Sequence, residues 1–187
     1  MTTATLAAER GTTLWSIDPS HSHVGFGVRH LMISTVKGRF AGVNGSVSLE
    51  NGSVGTARID VTIDAASIDT GVSQRDDHLR SQDFLDVARF PTLSFKSRQI
   101  DPIGKDALRV TGDLTIRDVT RPVQLDVIDF GSVRDPWGGE RAGYSASTRI
   151  NRRDFGLSWN QALETGGFVV GDEVALTLEV ELVRESE

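Results

Sequence analysis

The sequence predicts an all-β fold, a closed antiparallel barrel of about eight or nine strands with a single helix. Three observations lead there. Apolar and polar residues alternate with period two through most of the chain, the pattern of strands that bury one face. Short turn signals separate these runs, which favours an antiparallel meander over a parallel sheet. Only one stretch changes to helical periodicity, so no second layer is available to cover the apolar face, and closing the sheet on itself covers it instead.

The elements follow in order. After the Asp18-Pro19 turn signal, Ser22, Val24, Phe26, Val28 and His30 share one face, and His23, Gly25, Gly27 and Arg29 share the other. Val36, Gly38 and Phe40 alternate next, and Val43, Gly45, Val47 and Leu49 follow in the opposite parity. The slip near Ala41-Gly42 predicts a bulge. Asn51-Gly52 is a hairpin signal and leads into Ala57, Ile59, Val61 and Ile63 opposite Arg58, Asp60, Thr62 and Asp64. Ser73-Gln74-Arg75-Asp76 matches a capping box, so a helix is expected from there to about Asp83, packing Leu79 and Phe84. Phe90-Pro91 ends that region, and Leu93 and Phe95 open another strand.

Leu108, Val110, Gly112, Leu114 and Ile116 alternate without a break, and Thr120-Arg121-Pro122 is read as the turn into Val123, Leu125 and Val127. Residues 135–139 form a loop by composition. Tyr144, Ala146 and Thr148 precede Ile150–Gly156, and Val174, Leu176, Leu178, Val180 and Leu182 make the last strand. Strands of about ten residues span roughly 33 Å, so the barrel is tall and narrow, and its interior suits a long, thin guest.

At 187 residues, with 38% hydrophobic and 25% charged residues, the chain has the length and composition of one globular domain. Residues 1–13 read as a flexible tail and 14–183 as the domain. The net charge of −6 argues against nucleic acid or an anionic membrane as the main partner. Cysteine is absent, which removes disulfides and thiolate chemistry. The first residues lack a basic region followed by an apolar core, and no run of about 18 apolar residues occurs. A cytoplasmic location without an integral membrane segment is therefore expected.

Four segments carry a resemblance. WSIDPSHSHVGFGVRHLMISTVKGRFAGVNGSV (15–47), SIDTGVSQRDDHLRSQDFLDVARFPTLSF (67–95), VTGDLTIRDVTRPVQLDV (110–127) and INRRDFGLSWN (150–160) resemble the YceI-like family of polyisoprenoid-binding, lipocalin-like proteins. The resemblance spans about residues 14–183. It implies an extended eight-stranded antiparallel lipocalin-like β-barrel with a short helix capping one end. It further implies an isoprenoid or similar long amphiphile inside the barrel, and it brings no catalytic residue and no cofactor. Many relatives are periplasmic and carry a secretory signal that is not evident in this chain.

The expected ligand-binding residues are those on the inward faces: Phe26, Val28, Phe40, Ile59, Val61, Phe95, Leu114, Ile116, Leu176 and Leu178. Each could equally be ordinary packed core. Small residues on the same faces (Gly38, Ala57, Gly112, Ala146) and the scarcity of bulky aromatics favour a cavity. His30 ends the inward face of its strand, either as a rim hydrogen bonder or as a donor to a diphosphate or carboxylate head group. His78, with Arg75 and Arg80, lies on or near the helix, whose N-terminus attracts anions; a solvated face paired with Asp76, Asp77 and Asp83 is the plainer reading. Arg152, Arg153 and Asp154 read as a structural ion pair at a loop.

Three functions are weighed. The first is a non-enzymatic carrier that sequesters a long-chain polyisoprenoid or fatty-type lipid. The second is a metal-dependent hydrolase or isomerase using His21 and His23, two apart on a strand, against which a solvent-facing pair, with His21 closing a turn on Asp18, is the plainer assignment. The third is a ligand-free stress-response barrel filled by its own side chains. No nucleophile elbow or phosphate-cradling glycine loop is present, so no catalytic residue is assigned and no metal site is adopted. Flat strand faces on a tall barrel make a homodimer plausible.

Overall fold

A computed structural model describes residues 11–164 and 166–185. Its strands are β1 (Thr12–Ile17), β2 (His23–His30), β3 (Ser34–Phe40), β4 (Val43–Glu50), β5 (Ser53–Asp64), β6 (Ile68–Asp69), β7 (Thr92–Pro102), β8 (Ala107–Ile116), β9 (Val119–Arg134), β10 (Glu140–Asn151) and β11 (Val170–Arg184). One α-helix, α1 (Ser73–Arg80), and two 3₁₀ turns, Ala65–Ser67 and Arg152–Phe155, complete the fold. Residues 1–10 of the expected tail lie outside the described residues, whereas Thr12 and Thr13 belong to β1 and pair with Glu50 and Leu49.

Eight strands close a ring in the order β1-β4-β5-β7-β8-β9-β10-β11, with β11 returning to β1 through Trp15↔Arg184 and Ile17↔Leu182. Every pairing is antiparallel. The expected eight-stranded barrel with one short helix is the observed fold. Beyond the ring, β11 also pairs with β2, which carries β3 and β6. β1 and β2 are thus two lengths of one stave on β11, separated by the turn at residues 18–22. β3 and β4 form the neighbouring stave and are likewise separated.

That separation replaces the bulge expected at Ala41-Gly42. These residues leave the sheet: the Gly42 N–H donates to Ser67 Oγ at 2.9 Å and its carbonyl accepts from Asp64 N at 2.7 Å. A Cβ on Gly42 would lie 2.8 Å from Asp64 Cβ, so only glycine permits this crossing. Between β6 and β7 the wall is completed by the Ala65–Ser67 turn, α1 and residues 81–91 instead of a strand.

The helix is shorter than expected and its capping box does not form. Val72 is the N-cap and contributes no side-chain bond, and Ser73 is already helical. Asp76, 6% exposed, turns instead to the preceding link, accepting from Thr70 N at 2.9 Å and from Thr70 Oγ1. Arg75 donates to the same residue, from Nε to Thr70 Oγ1 at 2.7 Å and from Nη2 to its carbonyl at 3.0 Å. The turn expected at Thr120-Arg121-Pro122 sits earlier, at Arg117-Asp118, with Arg117 at φ 58°. Pro122 lies within β9 opposite Asp113. The pairing of β9 with β10 runs only from Asp126 onward, so the missing N–H of Pro122 costs no ladder bond on that side.

Two of the small inward residues do not leave space. A Cβ on Gly38 would lie 2.4 Å from Phe26 Cζ, and one on Gly112 would lie 2.5 Å from Phe95 Cζ and from the Lys96 carbonyl. Each glycine makes room for an aromatic ring of the adjacent strand. Ala57 and Ala146 remain as small residues facing the hollow.

Polar groups reinforce the closing seam. The Ser22 hydroxyl bridges to β11, accepting from Glu181 N at 3.0 Å and donating to its carbonyl at 3.3 Å. Arg141 of β10 donates to Asp18 at 2.8 Å, to Asp135 at 3.0 Å and to Glu181. The His21 Nδ1 lies 3.0 Å from Asp18 Oδ2. The hydrogen bond from His21, followed by that from Arg141, holds the Asp18 carboxyl well below the usual carboxylate range, and Asp18 in turn raises His21.

These shifts set the pH response. Asp18 is more acidic folded than unfolded, so its contribution is present above about 3.8 and is lost as pH falls toward the folded value. His21 is less acidic folded, so its contribution is complete below about 6.5 and is lost as pH rises through the raised value. The stability difference between the wild-type chain and Asp18→Asn is therefore expected to be largest between these limits. By NMR, His21 should titrate above 6.5 in the wild type and return toward it in Asp18→Asn. Separately, Gly112→Ala should destabilise the barrel by about 1–3 kcal/mol in chemical denaturation, because the methyl group meets both a ring and a fixed carbonyl.

Candidate ligand cavity

The inward faces enclose two cavities in series, an outer one of about 300 Å³ and an inner one of about 180 Å³. Val24, Ile63, Leu114 and Leu176 line both and form a waist between them. These four come from β2, β5, β8 and β11, so the waist lies where the upper and lower lengths of the broken staves meet.

Of the residues expected to line the interior, Phe26, Val28, His30, Phe40, His78 and Ile116 border the outer cavity. Ile59, Val61, Phe95 and Leu178 border the inner one, and Leu114 and Leu176 stand at the waist. The barrel thus brings all of these side chains to the walls of two adjacent cavities that share four lining residues. The inner cavity adds Trp15, Tyr144 and Thr148 as its few polar-tipped residues. Burial, with Asp129 nearby, raises the Tyr144 hydroxyl above its ordinary value, so this end carries no titrating charge near neutrality.

Of the two interior cavities, only the outer is bordered by basic residues: Arg29, His30, Arg75, His78 and Arg152. Most are already engaged. Arg152, 3% exposed, donates to the carbonyls of Gly171, Leu157, Trp159 and Val170 and to Asp172 Oδ1. It pins the loop after the Arg152–Phe155 turn to β11. Arg153 also donates to Asp172, at 2.8 Å, whereas Asp154 takes part through its carbonyl, which accepts from Arg121. The expected ion pair is therefore an Arg152–Arg153–Asp172 cluster.

Arg75 is spent on Thr70, and Arg80 on the carbonyls of Ala66 and Ile68 and on Asp77, away from the hollow. His78 Nε2 meets Asp83 Oδ2 at 2.9 Å, and its ring packs edge-on against Phe84 and Trp159 with centroids 5.1 and 4.7 Å apart. The His30 imidazole makes no hydrogen bond among the described residues, and it stands at the end of β2 beside the outer cavity.

Sequence reading missed Trp159, Leu157, Val169 and Val170 as lining residues. They sit in the irregular β10–β11 connection or at its end, where no period-two signal exists. Trp159, one of two aromatics in the 150–160 segment with Phe155, was the one available hint.

The His21–His23 pair does not form. His21 lies in the turn before β2, bonded to Asp18, and His23 opens the strand on its exposed face. Among the described residues, those close enough to share an ion are Asp18, His21 and Glu181. Arg141 already bonds both carboxylates, so a guanidinium holds the place a metal would need.

The family model described as the YceI-like domain matches residues 15–182. A UPF0312 protein of Vibrio cholerae is 37% identical over 138 residues, covering 74% of this chain and 73% of the relative. A UPF0312 protein of Shewanella denitrificans is 40% identical over 138 residues, covering 74% and 72%. Among solved structures, the Campylobacter jejuni YCEI protein superposes with a TM-score of 0.72 at 31% identity, covering 85% of this chain and 90% of that one. A polyisoprenoid binding domain from Saccharophagus degradans, implicated in plant cell wall breakdown, shares the fold with a TM-score of 0.67 at 17% identity, covering 90% and 97%. With the barrel, its helix-completed wall and this match along nearly the whole domain, the chain belongs to the YceI-like family.

Proposed function

We propose that this chain is a non-enzymatic carrier that holds one long-chain polyisoprenoid, or a similar amphiphilic lipid, along the barrel axis. The observation that carries this reading is the pair of adjacent apolar cavities that share four lining residues, with basic residues bordering only one of them. The tail would occupy the inner cavity and the head group would meet His30 and His78. Burying a chain from water contributes about 0.8 kcal/mol per methylene. A dozen such groups contribute roughly 10 kcal/mol, comparable with the ordering cost of association at about 4–15 kcal/mol. The head-group contact then sets orientation and selectivity.

The hollow favours this reading over a barrel packed solid by its own side chains. The family is one of binding domains, and the polyisoprenoid binding of the Saccharophagus degradans neighbour supports the same class of ligand here. A cytoplasmic site of action and a homodimer complete the proposal. Fractionation and light scattering test these two parts.

Native mass spectrometry of the purified chain with an added prenyl diphosphate should show a one-to-one complex. The melting temperature should rise with ligand concentration, since a ligand that binds only the folded state must stabilise it. A chain that neither retains nor accepts such lipids overturns the carrier. Ala146→Phe, which fills the inner cavity, should abolish binding of long chains while sparing short ones. His30→Ala should weaken a charged prenyl diphosphate by roughly tenfold, the worth of one hydrogen bond to a charged group, and leave an uncharged fatty amide unaffected.

A further inference from the structure

We propose that the tip of the β2–β3 hairpin, together with Phe168, docks the mouth of the barrel onto an anionic lipid bilayer. The purpose of this docking rests on the carrier reading; its occurrence is tested separately.

The turn is unusual in composition and geometry. Leu31 and Met32 both have positive φ, 51° and 63°, and the Ile33 N–H donates back to the His30 carbonyl at 3.1 Å. Asparagine, aspartate and glycine normally fill such positions, and a bulky residue there is an outlier. The side chains held in this strained turn point into solvent: Ile33 is 81% exposed and Met32 60%. From the opposite rim Phe168 adds a third apolar group, 49% exposed. The two rims touch, since the Leu31 N–H donates to the Val169 carbonyl at 2.9 Å and Met32 Cγ lies 3.8 Å from the Cβ position of Gly167. His30 on one side, and Val169 and Val170 on the other, line the outer cavity directly beneath.

Charge complements this apolar rim. From Ser20 to Leu49 the chain has no acidic residue, although its net charge is −6. Arg29, Lys37 and Arg39 fall on the outer face of the hairpin, opposite Thr35, Gly27 and Gly25. Arg39 meets Asp69 at 3.7 Å, whereas Arg29 and Lys37 have no acidic partner among the described residues. Apolar side chains at a tip with cations behind them match the order of a bilayer surface, acyl region beneath anionic head groups. A second copy of the chain fits less well: three protruding apolar side chains are far fewer than the roughly 20–30 residues a side that a stable interface buries. A lipid leaving a bilayer through this rim would enter the cavity without crossing water.

Flotation with phosphatidylcholine–phosphatidylglycerol vesicles tests the proposal. The wild-type chain should float with them, less so at raised salt. Met32→Gly with Ile33→Ser should bind them about tenfold or more weakly, the worth of one buried apolar side chain. The same variant should melt no lower than wild type, because glycine relieves a strained φ. It should also load a prenyl lipid supplied from ethanol as fully as wild type. Equal flotation of the two chains, or none by wild type, overturns the docking. A dimer in the wild type that becomes a monomer in the variant by light scattering overturns it in favour of a contact between copies. Vesicle binding by a chain that loads no lipid from ethanol leaves the docking standing and removes the carrier reading.

Discussion

The pairing of β11 is the constraint on which the rest of the structure depends. Its fifteen residues lie against β10 on one side, and on the other they carry β1 with their last turn of ladder and β2 with the remainder. Closing a sheet removes its exposed edges, and here one strand closes it against two partners. The Ser22–Glu181 bridge joins residues 159 apart in sequence, and Arg141 gathers carboxylates from β1's end, β11 and the β9–β10 loop at the same seam. A tall barrel is possible because that seam is held by polar contacts which leave its interior apolar.

Splitting one stave into two lengths also explains the mouth. β2, β3 and β6 extend past the ring without finding β7, and the gap is filled by the α1 segment. The gap-filler needs its own polar scaffold, because α1 has eight residues and is too short to be stable alone. Asp76, Arg75 and Arg80 supply it by bonding the backbone and side chain of residues 66–70. These charges are therefore structural, and the cavity wall they support is left to apolar and aromatic side chains such as Leu79, Phe84 and Trp159.

The hollow and the rim form one physical system. A packed interior would be the cheaper solution for stability, since cavities forfeit dispersion contacts. This chain retains two cavities while spending glycines at 38 and 112 to seat phenylalanine rings, so its aromatic groups shape walls instead of filling the centre. Apolar residues then continue out of the hollow, past His30, to Met32, Ile33 and Phe168. The net negative charge of the chain and the basic hairpin that frames this exit act at different ranges. A net charge far from zero opposes self-association, and the hairpin is felt only within about a Debye length of a surface, roughly 8–10 Å.

Much of the barrel was legible because period-two alternation is a local consequence of the extended backbone. The faces of β5, β8 and β11 could be assigned from their residues alone, and those assignments bring the expected side chains to the hollow. Less legible were features whose cause lies far along the chain. Gly42 ends a strand because Asp64 passes beside it, Ser73 fails as a cap because Asp76 is drawn to Thr70, and His21 is separated from His23 because Asp18, itself held by Arg141, claims it. By itself, then, the sequence determined most of the strands with their inward faces, the lone helix and the family, but not β1 or β6. The tertiary structure alone decided the strand order, the shared waist, which cations remain unspent and which apolar tip meets solvent, because each depends on contacts between residues that only closure of the ring brings together.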